Sequence, residues 1–120
     1  MKIFLHLILS SLFFINGCTN HSKSKNLNLD EYTIDMIQEG YRNGSFKVVD
    51  VIESYLSSIE AIDKSGPSLN SIISINPDAI EIANKLDKKL ETQKTIGPMY
   101  GIPVILKDNI DTHDKMPTTA

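Results

Sequence analysis

An α/β architecture in which helices outweigh strands is what this sequence predicts, and three features predict it. Apolar residues recur at three- and four-residue steps between Ser45 and Asp63, the spacing that lines one face of a helix. A second helical stripe opens at Asn76-Pro77. Two short apolar runs, Asn70 to Ile75 and Ile102 to Leu106, are rich in β-branched residues and flanked by turn formers, as strands are.

The chain begins with a segment of another kind. Met1-Lys2 carries positive charge, and Ile3 to Ile15 is apolar apart from His6, Ser10 and Ser11. This run is shorter than the roughly 20 residues needed to cross a bilayer, so it reads as a signal peptide over residues 1–17. Ile15-Asn16-Gly17-Cys18 resembles the lipobox of bacterial lipoproteins, in which a small residue precedes an acylated cysteine, although Asn16 is unusual there. The resemblance implies lipidation at Cys18, export, and a lipid anchor in a bacterial cell-envelope membrane. The bland reading is an ordinary signal peptide with a coincidental cysteine. Cys18 is the single cysteine of the chain, so no internal disulfide and no cysteine zinc site can form. Residues 18–28 then read as a polar tether, and the folded part as residues 29–120.

In that part, Asp30 to Glu39 is predicted helical, with Asp30 or Thr33 as N-cap, Ile34, Met36 and Ile37 as apolar positions, and Gly40 with Asn43-Gly44 ending it. Ser45 is predicted to cap the next helix, whose face is Val48, Ile52, Tyr55, Leu56, Ile59 and Ile62. Gly66-Pro67 stops it. After the Asn70 to Ile75 strand, Asn76 caps and Pro77 opens a helix whose stripe is Ala79, Ile80, Ala83, Leu86 and Leu90. Lys85, Asp87, Lys88, Lys89 and Glu91 read as its solvated side. Ile102 to Leu106 has no polar break, which suits a strand buried on both faces, with Pro103 at its start. Two short strands do not make an independently stable sheet, so the folded part alone is expected to be partly unfolded.

The chain has 120 residues, 41% of them hydrophobic, and a net charge of −3 with mixed signs. That composition suits one modest domain and lacks the basic stripe of a nucleic-acid binder. His113 lies among scattered acids and reads as a solvated loop; Asp108, Asp111 and Asp114 lack calcium-loop spacing, and Gly97 and Gly101 lack the Gly-Lys-Ser/Thr of a phosphate loop. Neither a metal nor a cofactor is called for. Lys107, at the end of the apolar run, has two readings. Burial there would disfavour its ammonium and leave an amine able to take a proton. Read alone, a surface lysine paired with Asp108 or Asp111 is the simpler account.

The surrounding residues change that balance. Gly97-Pro98-Met99-Tyr100-Gly101-Ile102-Pro103-Val104, Lys107-Asp108-Asn109 and Met116-Pro117-Thr118-Thr119-Ala120 resemble the amidase signature family. So does the preceding order of two helices, the "LNSII" run and the Asn76-Pro77 helix with Ala83 and Asp87. The resemblance extends over about 29–120. It implies the N-terminal portion of a mixed sheet flanked by helices, incomplete and helix-rich here. It also implies hydrolysis of a carboxamide C–N bond by a Ser–cis-Ser–Lys triad, with Lys107 as its base. In the family both serines lie downstream of the Thr118-Thr119-Ala120 region, so this chain alone is expected to be an inactive fragment. The substrate of the whole protein would be a small-molecule or peptide amide. Two other readings stay open: a non-catalytic small lipoprotein, and a fragment of an amidotransferase A-type subunit, against which the export signal argues.

Overall fold

A computed structural model of the chain describes residues 27–93 and 95–117. The signal peptide and Cys18 lie outside the described residues, as do most of the tether and Thr118 to Ala120. The first helix, α1 (Ile34–Asn43), starts at Thr33, whose Oγ1 accepts from the Met36 N–H at 3.2 Å. Its end lies beyond the expected one. The helix runs through Gly40 to Asn43, and Gly44 takes the left-handed conformation at φ 72° while the Ser45 N–H donates back to the Gly40 carbonyl at 3.0 Å. This is the long bond of a Schellman stop. The face differs too: Ile37 and Tyr41, one turn apart, are buried, whereas Ile34 and Met36 are exposed.

The second helix, α2 (Val48–Ser58), continues in π form over Ile59–Ser65 and stops at Gly66 as predicted. Ser45 does not cap it. Lys47 stands at the N-cap, and its N–H donates to Asp50 Oδ2 at 2.8 Å. A lysine has no side-chain acceptor for the free N–H groups of the first turn. They are met from a distance: Asp87 accepts from the Val48 N–H at 2.7 Å and the Val49 N–H at 3.0 Å. Asp87 therefore belongs to the packed side of its helix and not to the solvated side expected for it. Asp87→Ala is expected to cost about 1–2 kcal/mol, the usual worth of a cap, whereas the exposed neighbour Lys88→Ala should stay within about 0.5 kcal/mol. Urea unfolding followed by helical circular dichroism reads both; equal midpoints for the two variants would remove the capping role.

The third helix, α3 (Ala79–Thr92), begins two residues later than Pro77. Asn76 Oδ1 accepts from the Asp78 N–H at 2.9 Å, and the Asn76 carbonyl from the Ala79 N–H at 3.1 Å. Asn76 and Pro77 thus form the turn that delivers the helix. α3 packs along α2, and Ile37, Tyr41, Val48, Val51 and Ala83 make the buried centre, flanked by Phe46, Leu86, Leu90, Tyr100 and Ile102. Ile62, expected on the packed face, is exposed.

Neither predicted strand is formed among the described residues. Asn70 to Ile75 is held instead by side-chain bonds from the end of the π turn. The Asp63 carboxylate, only 5% exposed, accepts from the Ser71 hydroxyl at 2.6 Å, the Ser71 N–H at 2.7 Å, the Ile72 N–H at 3.2 Å and Lys64 Nζ at 3.1 Å. Lys64 Nζ also donates to the Ile72 carbonyl at 2.6 Å. The Ser71 hydroxyl foremost, and then these other donors, hold the Asp63 carboxyl well below the usual carboxylate range against the opposing effect of burial. The folded state therefore binds this proton more weakly than the unfolded state. Its stabilisation is complete above about pH 4 and is lost progressively as the pH falls below that. Asp63→Asn should flatten the fall in urea midpoint between about pH 5 and pH 2.5; an unchanged slope would mean that other carboxylates set the acid limit.

Candidate functional site

The segment that carries the candidate residue Lys107 begins with a turn that the helices grip. Met99 and its neighbours fold so that the Tyr100 N–H donates to the Gly97 carbonyl at 3.1 Å and the Ile102 N–H to the Met99 carbonyl at 3.2 Å. Three side-chain bonds fasten this turn. Gln38 Nε2 of α1 donates to the Gly97 carbonyl at 2.9 Å, the Tyr41 hydroxyl donates to the Gly101 carbonyl at 2.9 Å, and the Tyr100 hydroxyl donates to the Leu86 carbonyl of α3 at 2.6 Å. Gln38 and Tyr41 are both buried, so each bond satisfies a polar group that would otherwise be costly to enclose.

Burial, reinforced by the Asp87 carboxylate, pushes the Tyr41 phenol far above its ordinary acidity range, and the same two influences raise that of Tyr100. Both remain neutral hydrogen-bond donors at any physiological pH. Gly101, at φ 68°, presses its backbone onto the core: a Cβ there would stand 2.9 Å from Val48 Cγ2 and 3.0 Å from Tyr41 Cε2. A residue without a side chain is what permits this approach.

Beyond the turn the chain leaves the core. Ile102 packs against the buried cluster, while Val104, Ile105 and Leu106 are 62%, 81% and 45% exposed. The expectation of a strand buried on both faces is not met among the described residues, because no neighbouring backbone flanks this run. Lys107 is likewise exposed, so the burial expected for it is not met in this structure. Its carbonyl accepts from the Ile110 N–H at 2.9 Å, which turns the chain after it.

The following loop returns to α3. Asn76 Nδ2 donates to Asp114 Oδ2 at 3.1 Å, Asp114 Oδ1 accepts from the Met116 N–H at 2.9 Å, and Lys115 Nζ pairs with Asp78 at 2.8 Å. His113 is exposed beside them, and no group of three or more His, Cys, Asp or Glu could hold a metal ion among the described residues. A groove of about 530 Å³ between Leu27 to Asp30 and the α2 residues Ser54, Tyr55 and Ser58 includes no residue of the 97–107 segment.

The family model described as Amidase matches residues 50–120, more than half of the chain and the whole of this segment. The chain belongs to the amidase family. Relatives extend the match. A Schizosaccharomyces pombe protein provisionally classed as an amidase is 39% identical over 98 residues, covering 82% of this chain and 16% of its own length. The A-type component of the glutamyl-tRNA(Gln) amidotransferase of Alkaliphilus metalliredigens is 36% identical over 87 residues, covering 72% of this chain and 17% of that component. Among solved structures, the native peptide amidase of Stenotrophomonas maltophilia superposes with a TM-score of 0.68 at 33% identity, over 71% of this chain and 18% of that enzyme. The chain therefore spans less than a fifth of the length of these relatives.

Sequence reasoning had marked Lys107 and the turn before it but not what holds the turn. Gln38 and Tyr41 were missed as its clamps and Asp87 as the cap of α2; the last two left a signal. Tyr41 lies four residues after Ile37, and Asp87 four after Ala83 and one after Leu86, so both fall on apolar faces. A polar group on such a face needs a partner inside.

Proposed function

We propose that this chain is the N-terminal part of an exported serine hydrolase that cleaves a carboxamide C–N bond, with Lys107 as the base of a Ser–cis-Ser–Lys triad. The observation that carries the reading is the Gly97 to Lys107 segment itself: a motif of the amidase family, fastened by three side-chain bonds so that its last residues project from a fixed turn. In this mechanism the neutral Lys107 amine takes a proton from the bridging serine as that serine takes one from the nucleophile. The nucleophile attacks the amide carbonyl, the amine leaves with a proton, and water releases the acid from the acyl-enzyme. The exposed run Val104 to Leu106 fits a strand that the rest of the fold covers, and covering it would bury Lys107 as the chemistry requires.

The substrate class is an amide of a small molecule or peptide. The likeness to a peptide amidase favours a peptide carboxamide. Similarity to the A-type components of amidotransferases supports a second reading within the same chemistry, but Met1 to Cys18, read as signal peptide and lipobox, favours an envelope hydrolase anchored through Cys18.

Intact mass of the native product, extracted from source-cell membranes with detergent, tests the proposal. A species several times heavier than the 120-residue chain and carrying a lipid adduct supports it. A lipidated species lighter than that chain by the lost signal segment would make the family membership one of ancestry and not of activity. A heavy species without lipid would remove the anchor and leave the hydrolase.

A further inference from the structure

We infer that Tyr41 is a positioning residue for Lys107, acting through the Gly97 to Gly101 turn; the inference rests on the amide-hydrolase reading above. Lys107 lies six residues beyond Gly101, and Val104 to Lys107 are exposed. The direction in which this run leaves the core is therefore set upstream, where the Gly101 carbonyl accepts from the Tyr41 hydroxyl at 2.9 Å and the Gly97 carbonyl from Gln38 at 2.9 Å.

The Tyr41 ring is itself immobilised. It meets the Phe46 ring edge-on, with centroids 5.7 Å apart and planes at 82°, and it lies against the open side of Gly101. Its phenol stays protonated because burial disfavours the phenolate. A donor of fixed position, bonded to the carbonyl at which the chain turns outward, holds the angle of an extended arm at its root. Small errors there grow along the arm, and a base displaced by about 1 Å can cost on the order of a hundredfold in rate.

The test uses the complete hydrolase, with ammonia release from a blocked dipeptide amide as the assay and rates expressed per folded enzyme. Tyr41→Phe removes one oxygen and keeps the ring. It should lower kcat about 5- to 20-fold, within the range set by misplacement of a catalytic group, and leave KM within about twofold because no substrate contact is lost. Ser54→Ala is the stability control. It deletes a hydroxyl that accepts from the Leu27 N–H at 3.0 Å and donates to the Asp50 carbonyl at 2.8 Å, away from the turn, and should leave kcat unchanged.

Should Tyr41→Phe fail to fold, Gln38→Met, which removes the donor to Gly97, is expected to show the same split. A kcat within twofold of the parent in the folded variant, while Lys107→Ala is inactive, overturns the inference alone. An equal fall in kcat for Ser54→Ala also overturns it, since the effect would then be general instability. Full activity of Lys107→Ala, or a native product no longer than the 120-residue chain, overturns the hydrolase reading and this inference with it.

Discussion

Lys107→Ala in the complete hydrolase is expected to lower kcat for amide hydrolysis by about 10³-fold or more, with KM changed less than about threefold. Removal of a general base costs about 10² to 10⁴ in rate, and members of a proton-transfer chain act as a unit, so the loss of one approaches the loss of all. KM is spared because the lysine moves a proton in the transition state and makes no ground-state contact with the amide. Lys107→Arg should fail as badly, since a guanidinium stays charged and cannot accept the proton. Steady-state ammonia release at saturating substrate checks both. A variant retaining a tenth of the parent kcat would remove Lys107 from the chemistry, and its exposed position in the described chain would then be its final one.

Gly101→Ala is expected to be strongly destabilising, at about 2–4 kcal/mol. One part of this is conformational: at φ 68° an alanine is strained where a glycine is not, by about 1–2 kcal/mol. The other part is steric. The new methyl would meet Val48 Cγ2 at 2.9 Å and Tyr41 Cε2 at 3.0 Å, and overfilling a packed centre costs about 1–3 kcal/mol. Neither neighbour yields easily, because Val48 has no accessible surface and Tyr41 is tied to the Gly101 carbonyl.

Gly97→Ala is the internal control. Nothing stands within 4 Å of a Cβ at Gly97, so that variant should unfold within about 0.5 kcal/mol of the parent. Urea midpoints of the two variants make the comparison. Similar values would mean that the turn can relax away from the core, and the clamp on the Lys107 arm would be softer than its hydrogen bonds suggest. Introducing Val48→Ala beside Gly101→Ala should recover part of the steric loss and none of the conformational one, which separates the two contributions.

The three helices were legible because a helix satisfies its own backbone, leaving its existence to local periodicity and its ends to a few cap residues. Thr33 caps and Gly44 takes the left-handed turn as such residues do, whereas Gly66 ends its helix at φ −78°, outside the left-handed region. The boundaries moved where a partner from elsewhere took over. Lys47 could stand at the start of α2 only because Asp87, 39 residues away in sequence from Val48, supplies the acceptors that Ser45 was expected to provide. The strands were not legible in the same way. A strand exists by virtue of a neighbour, and Ile72, Ile73 and Ile75 or Val104 to Leu106 carry the composition of strands without a paired backbone among the described residues.

The sequence by itself determined the family and the helices, because each is written in residue type and spacing along the chain: the Gly97 to Asn109 motif and the apolar stripes. Only the tertiary structure decided which polar residues face inward and what they hold. Gln38, Tyr41 and Asp87 sit on helix faces whose partners, the Gly97 and Gly101 carbonyls and the first turn of α2, come from distant parts of the chain. A hydrogen bond across the core depends on how two elements meet, and no local pattern carries that information.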